Sequence, residues 1–408
     1  MDNLFDFTAE TVKWISSIGR DSAGGTTRLV YTDSWFEAQT SLKAKFEALG
    51  MKAQFDSVGN LFGRIEGAEL PEETILSGSH IDTVKYGGKL DGQFGIIAAY
   101  IAIKYLLENY GKPKRSLEVV SFSEEEGSRF PYNFWGSKNF MGIANKEDVL
   151  NIKDDEGLFF VKEMEKYGFS YDNIKSNPRT DVKSFVEIHI EQGNVLEMNN
   201  QSLGIVTGIV GQKRFGVHLK GLANHAGTTP MGYRKDTVYG FSKMCASAID
   251  KAKKLGDPLV LTIGKVIPRP NVPNVIAGEL DFTIDCRHTN MDILSAFTEE
   301  IIHDMEKTAE ELGLEMQTEM WLDDNPVPMD ENIIKIITDV CKENNVNYRI
   351  MHSGAGHDSQ IIAPRIPTGM IFVPSIGGIS HNPAEDTKTE DLVEGIKILI
   401  GTLHKLAY

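Results

Sequence analysis

Residues 74–107 read TILSGSHIDTVKYGGKLDGQFGIIAAYIAIKYLL, and the two ends of this stretch decide the fold class. Thr74–Ser77 is a short apolar run of the kind a buried strand needs, whereas Gly95–Leu107 is apolar nearly all round and predicts a helix buried inside a domain. Further short apolar runs at Leu117–Phe122 and Phe185–Ile190 supply more strands of the same sheet. Leu42, Phe46 and Leu49 recur at helical spacing after Thr32 and Asp33, and Gly50 follows them, which predicts a capped helix with a glycine stop. Strands alternating with helices read as α/β.

Past Gly208 the pattern changes. Phe215, Val217 and Leu219 alternate with polar residues as in a half-exposed strand. A helix follows at about 235–254, then strands near 259–266 and 280–286, an amphipathic helix carrying Leu294, Phe297, Ile301 and Met305, and a strand near 315–321. The order β-α-β-β-α-β is that of a ferredoxin-like α+β unit. With breaks near Gly208 and Asn325-Pro326, the expected organisation is a catalytic α/β domain over 1–208 and 326–408, with a smaller domain inserted at 209–325. The return segment carries a helix (Ile333, Ile337, Val340), two short strands and a last helix (Leu392, Ile396, Leu399, Leu403).

A chain of 408 residues exceeds one compact core, so two domains are the prior expectation. The net charge of −16 argues against nucleic acid or an anionic membrane as partner, because both select a basic face. It leaves room for a small anionic substrate, which one local arginine can hold. The three cysteines, Cys245, Cys286 and Cys341, lie far apart and form neither a disulfide framework nor a zinc knuckle, so they read as buried thiols of a reducing compartment. The first 19 residues, MDNLFDFTAETVKWISSIG, are acidic and amphipathic rather than basic and apolar as in a signal peptide. No apolar run approaches the roughly 20 residues of a membrane span. The expected location is the cytoplasm.

Four segments carry metal-ligand chemistry: HIDTVKYGGKLDG from His80, EEEG at 124–127, EIHIEQG around His189 and SHNPAE around His381. Two divalent cations a few ångströms apart need several imidazole and carboxylate donors, one carboxylate able to bridge them, and a spare carboxylate to handle protons. His80, Glu126, His189 and His381 suit terminal ligands, Asp91 the bridge, and Glu125 the base. Asp82 is placed to accept the other N–H of the His80 imidazole, and Glu124 reads as an exposed neighbour. Taken singly, an H-x-D is more often a structural histidine than a ligand, and an acidic triplet is usually a solvated face. Each segment, however, follows or belongs to a predicted buried strand, so all four can meet at one sheet edge. Histidine and carboxylate donors without thiolates suit Zn²⁺, Mn²⁺ or Co²⁺.

These motifs, together with SRFPYNFWGSKN (128–139), GLANHAGTTPMGYRKDTVY (221–239), NVIAG (274–278), DCRHT (285–289) and HSGAGHD (352–358), resemble the amidase branch of the M20 metallopeptidase family over essentially the whole chain. The resemblance implies two divalent ions per subunit, Mn²⁺ or Zn²⁺, with Asp91 bridging, His80 and His189 on one ion, Glu126 and His381 on the other, and Glu125 as general base. It implies a homodimer built through the inserted domain, which would also act as a lid. It further implies substrate contacts from Gln212, Asn274, Arg287 and His357, and a His225 that reaches the neighbouring subunit's site to polarise the scissile carbonyl. Hydrolysis of a ureido C–N bond is the expected reaction. Finer text, notably SRFPYNFWGSKN, GYRKDTVY, DPLVLTIGKV and HSGAGHD, favours allantoate as substrate over N-carbamoyl-L-amino acids or β-ureidopropionates. His218, His288, His303, His352 and His404 have no assigned role.

Overall fold

Leu70–His80 runs through the middle of a mixed sheet, with Arg115–Phe122 on one side and Val182–Ile190 on the other, both parallel to it. Thr368–Val373 continues the parallel run beyond Val182–Ile190. The flanks are antiparallel: Leu61–Ile65 and then Lys52–Phe55 at one side, Leu203–Ile209 at the other, with Tyr348–Ser353 pairing to Leu203–Ile209. The computed structural model describes residues 4–174 and 178–408.

Both faces of the parallel strands are covered, and the two-residue period of a strand sorts their side chains. Ile75, Leu117, Val119, Val186 and Ile188 join one core with the helices Leu4–Ser17, Gln93–Tyr110 and Thr389–Ala407; Leu76, Val120, Phe122 and Phe185 join a second with Phe140, Met141 and Ile362. The helix Gln93–Tyr110 is buried at every position from Gln93 to Ile103, as its sequence predicts. Each fully buried Ile, Leu or Phe contributes about 1.5–3 kcal/mol by leaving water, so this helix is a major source of the unit's stability. Asp33–Ala48 is capped by Thr32, whose hydroxyl accepts the Trp35 N–H. Of the first 19 residues, 4–17 form a helix and 1–3 lie outside the described residues.

The chain divides into two compact units: everything up to Thr207 together with Pro328–Tyr408, and Gly208–Val327. The second is a four-stranded antiparallel sheet in the order Glu315–Asp324, Gly211–Lys220, Glu279–His288, Val260–Arg269. Helices Thr237–Leu255 and Met291–Glu311 pack on one face over Phe215, Val217, Leu219, Phe282 and Ile284. This is the ferredoxin-like arrangement that the strand and helix order predicts. Asp236 starts the first helix by accepting the Val238 and Tyr239 N–H groups. Asn224–His225 forms a short strand with Val275–Ile276, two residues on each side being too few to show a period in the sequence. No described helix is long and apolar enough to cross a membrane.

Candidate metal centre

Four parallel strands deliver the site. His80 ends Leu70–His80, Glu125 and Glu126 follow Arg115–Phe122, His189 lies near the end of Val182–Ile190, and His381 follows Thr368–Val373. The carboxyl ends of these parallel neighbours share one sheet edge, where ligands gather in open α/β sheets.

Asp91 is the shared member. Its Oδ1 lies 3.2 Å from His189 Nε2 and 3.7 Å from His80 Nε2, and its Oδ2 lies 3.1 Å from His381 Nε2. Glu126 Oε1 lies 3.6 Å from the same His381 nitrogen. Two groups that could each hold a cation, His80–Asp91–His189 and Asp91–Glu126–His381, therefore meet at one carboxylate, and a third grouping sets His80 with Glu125 and Glu126. His80 Nδ1 donates to the Asp82 carbonyl oxygen at 3.0 Å and His189 Nδ1 to the Ile190 carbonyl oxygen at 2.9 Å. Each ring so held turns its Nε2 toward Asp91, and His189 Nε2 also accepts the Gly92 N–H at 3.1 Å. Gly92 makes room for this: its φ is +64°, and a Cβ there would sit 2.3 Å from His80 Cε1.

The electrostatics are those of carboxylates crowded out of water. Burial works against the charge of Asp91, yet His189 and His381 hold its carboxyl well below the usual range. Burial pushes Glu125 well above that range against the pull of His80, and lifts Glu126 to about 7 with Asp91 adding to the rise. Proximity to Asp91 raises His381 to about 9. Glu126 Oε1 is buried and makes no hydrogen bond among the described residues. A buried, unpartnered carboxylate oxygen facing imidazole lone pairs fits divalent cations, which satisfy such donors and offset their mutual repulsion.

Asp82 faces the His80 ring and also serves a second set of partners. Its backbone carbonyl oxygen holds His80 at 3.0 Å while its Oδ1 stands 3.5 Å away. Its carboxylate accepts the N–H groups of Glu125 and Glu126, each at 3.1 Å, because the turn after Arg115–Phe122 presents those donors to it. Glu124, expected on the surface, is buried and accepts the Gly127 N–H, which closes the same turn. His357 is buried with its ring centroid 4.5 Å from that of His189, and its Nε2 is 3.1 Å from Ser353 Oγ. Three residues not singled out from the sequence also belong here: Gln192, whose Nε2 donates to Asp91 Oδ2 at 3.1 Å, Ser380 and Glu385. All three sit inside the quoted motifs; their residue types were the only available signal.

The second unit holds the remaining residues at two separate places. Gln212 and Arg287 are cross-strand neighbours, and both donate to Asp285: Gln212 at 2.7 Å to Oδ2, Arg287 at 2.9 Å to Oδ1 and 3.1 Å to Oδ2. His225 and Asn274 meet at the other end of that strand pair, where the Ala226 N–H donates to the Asn274 carbonyl oxygen and His225 pairs with Val275. From Gln212 to Lys220 at roughly 3.3 Å per residue is on the order of 25 Å. Of the substrate contacts that the family resemblance implies, Gln212 and Arg287 therefore lie at one end of this strand pair and Asn274 at the other. His225 Nδ1 accepts the Gly227 N–H at 3.0 Å, so the neutral ring carries its proton on Nε2.

A family model for the peptidase family M20/M25/M40 matches residues 76–405. The chain belongs to this family. Among M20 relatives, an allantoate amidohydrolase of Escherichia coli (strain K12) is 55% identical over 98% of this chain and 97% of its own, and one of Bacillus subtilis (strain 168) is 43% identical over 97% and 96%. A solved structure of a hydantoinase/carbamoylase family amidase from Burkholderia multivorans superposes with a TM-score of 0.94 at 29% identity, covering 99% of this chain and 98% of that one. The M20 sheet edge described above is thus the part of the chain in which hydrolytic chemistry is to be sought.

Proposed function

We infer that this chain is a metal-dependent amidohydrolase that cleaves a ureido C–N bond of allantoate, yielding ureidoglycine, ammonia and carbon dioxide in the recovery of nitrogen from purines. The observation that carries the reading is the 55% identity over 98% of the chain to a protein of that name. His80 and His189 would hold one divalent cation, Glu126 and His381 a second, and Asp91 both. When bound, such cations lower the pKa of a coordinated water and polarise a carbonyl. Glu125, anchored through its backbone to Asp82, takes the proton of the attacking water and returns it to the departing nitrogen. The carbamate so released breaks down to ammonia and carbon dioxide. His225, with its proton on Nε2, donates to the oxygen on which negative charge develops.

Arg287 is the anchor for the substrate carboxylate, with Gln212 beside it. Its planar fork grips a carboxylate through two parallel N–H donors, which a lysine cannot copy. Arg287→Lys is expected to raise KM for allantoate on the order of tenfold to a hundredfold, with metal content unchanged. Titration of the dialysed variant against metal, together with steady-state kinetics, checks both halves; an unchanged KM moves the anchor elsewhere.

The separation of His225 and Asn274 from Gln212 and Arg287 supports a homodimer in which the small domains pair and each lends its His225 end to the neighbouring subunit. An inactive His225→Ala protein mixed with an inactive Glu125→Gln protein should then recover activity on subunit exchange, because a mixed dimer owns one site with both lesions and one with neither. Random pairing of equal amounts sets the ceiling at about a quarter of wild type. No recovery despite demonstrated exchange would confine His225 to its own subunit. The function itself is tested by product analysis on allantoate with Mn²⁺ or Zn²⁺ added and with chelator: ammonia and ureidoglycine are expected in the first case only.

A further inference from the structure

We propose that Glu385 is the positioning residue that presents Asp91 to two cations at once. Glu385 and Asp91 are 294 residues apart in sequence, yet the Glu385 carboxylate is buried directly behind the Asp91 turn. Its Oε1 accepts the Leu90 N–H at 2.9 Å and the Asp91 N–H at 3.1 Å, and its Oε2 accepts the Ser380 hydroxyl at 2.9 Å. Two of these bonds fix the backbone from which the Asp91 side chain projects. The third ties that backbone to the loop carrying His381, since Ser380 is the residue before it.

Gln192 completes the frame by donating through Nε2 to Asp91 Oδ2 at 3.1 Å and to Ser380 Oγ at 3.3 Å. A carboxylate that bridges must keep one oxygen toward each ion, which a rotation about its last bond would spoil. Outer hydrogen bonds of this sort orient ligands, and losing one typically weakens metal binding about 10–100-fold. The Leu90 and Asp91 N–H groups can only donate, so position 385 must offer them an oxygen, whereas the Ser380 hydroxyl can either donate or accept. Gly88 gives the carboxylate its room: a Cβ there would lie 2.0 Å from Glu385 Oε1.

This inference rests on the two-ion reading of the site, and the test separates the two. Metal-stripped full-length protein is titrated with Zn²⁺ against a competing chelator, giving the number of ions bound and their affinities without any turnover. Glu385→Ala should bind the ions about 10–100-fold more weakly. Glu385→Gln keeps one oxygen for both backbone N–H groups and can donate to Ser380, so it should bind close to wild type, a rescue that mere loss of fold would not show. Gly88→Ala displaces Glu385 without removing a polar group and should behave like Glu385→Ala, which guards against a misfolded Glu385→Ala protein. Wild-type affinity in both alanine variants overturns the proposal, as does a glutamine variant as weak as Glu385→Ala, because charge and not geometry would then be at work. Asp91→Ala serves as the control: if it still binds two ions, the two-ion reading fails, whatever Glu385 does.

Discussion

Glu125→Gln is expected to retain both cations and to lose on the order of 10²–10⁴-fold or more in kcat. The substitution keeps shape and backbone anchoring, since the Glu125 N–H groups its main chain to both oxygens of Asp82 at 3.1 Å. What it removes is a carboxylate grouped with His80 and Glu126 that is not itself assigned to a cation. Burial holds the Glu125 carboxyl well above the ordinary range, against the pull of His80. Metal analysis and steady-state rates on one preparation provide the check. A glutamine variant turning over at the wild-type rate would remove Glu125 from the mechanism.

Asp91→Ala should empty the centre, and more completely than His189→Ala. Asp91 faces His80 and His189 with one oxygen and His381 with the other, so its loss takes a donor from both ions and the negative charge that screens one from the other. His189→Ala removes a neutral donor from one ion only. After exhaustive dialysis, the alanine variant at 91 should hold well under one equivalent and that at 189 more. Two equivalents retained by Asp91→Ala would mean that it does not bridge.

How much of this was legible beforehand follows from which signals are local. The helix Gln93–Tyr110 announces itself because it is apolar on every face, and the strands ending at His80, Phe122 and Ile190 because their runs are short and apolar. Glycines around Asp91 mark its turn for the same reason: close approach to His80 tolerates nothing larger at Gly92. The antiparallel strands Lys52–Phe55 and Leu61–Ile65 carry no such mark, since the first alternates exposed and half-buried positions and neither is long enough to show a period. The H-x-D spacing puts Asp82 beside His80, whereas the hydrogen bond of its carboxylate to the Glu125 N–H, 43 residues away, is encoded by no spacing rule. The same holds for Glu385, which acts on Asp91 through backbone donors. Family resemblance grouped Gln212, Asn274 and Arg287 as substrate contacts; the strand register separates them within one chain and so bears on how many chains a complete pocket needs.

The central claim is hydrolysis of allantoate at a two-cation centre, and the most direct measurement is kcat/KM of the metal-reconstituted protein on allantoate beside N-carbamoyl-L-amino acids and β-ureidopropionate. These substrates would share the metal ligands and Arg287 and differ in what surrounds one ureido arm. The account predicts a kcat/KM highest for allantoate, abolished by chelator and restored by Mn²⁺ or Zn²⁺. A higher value on an N-carbamoyl amino acid, with allantoate turned over slowly or not at all, would contradict it.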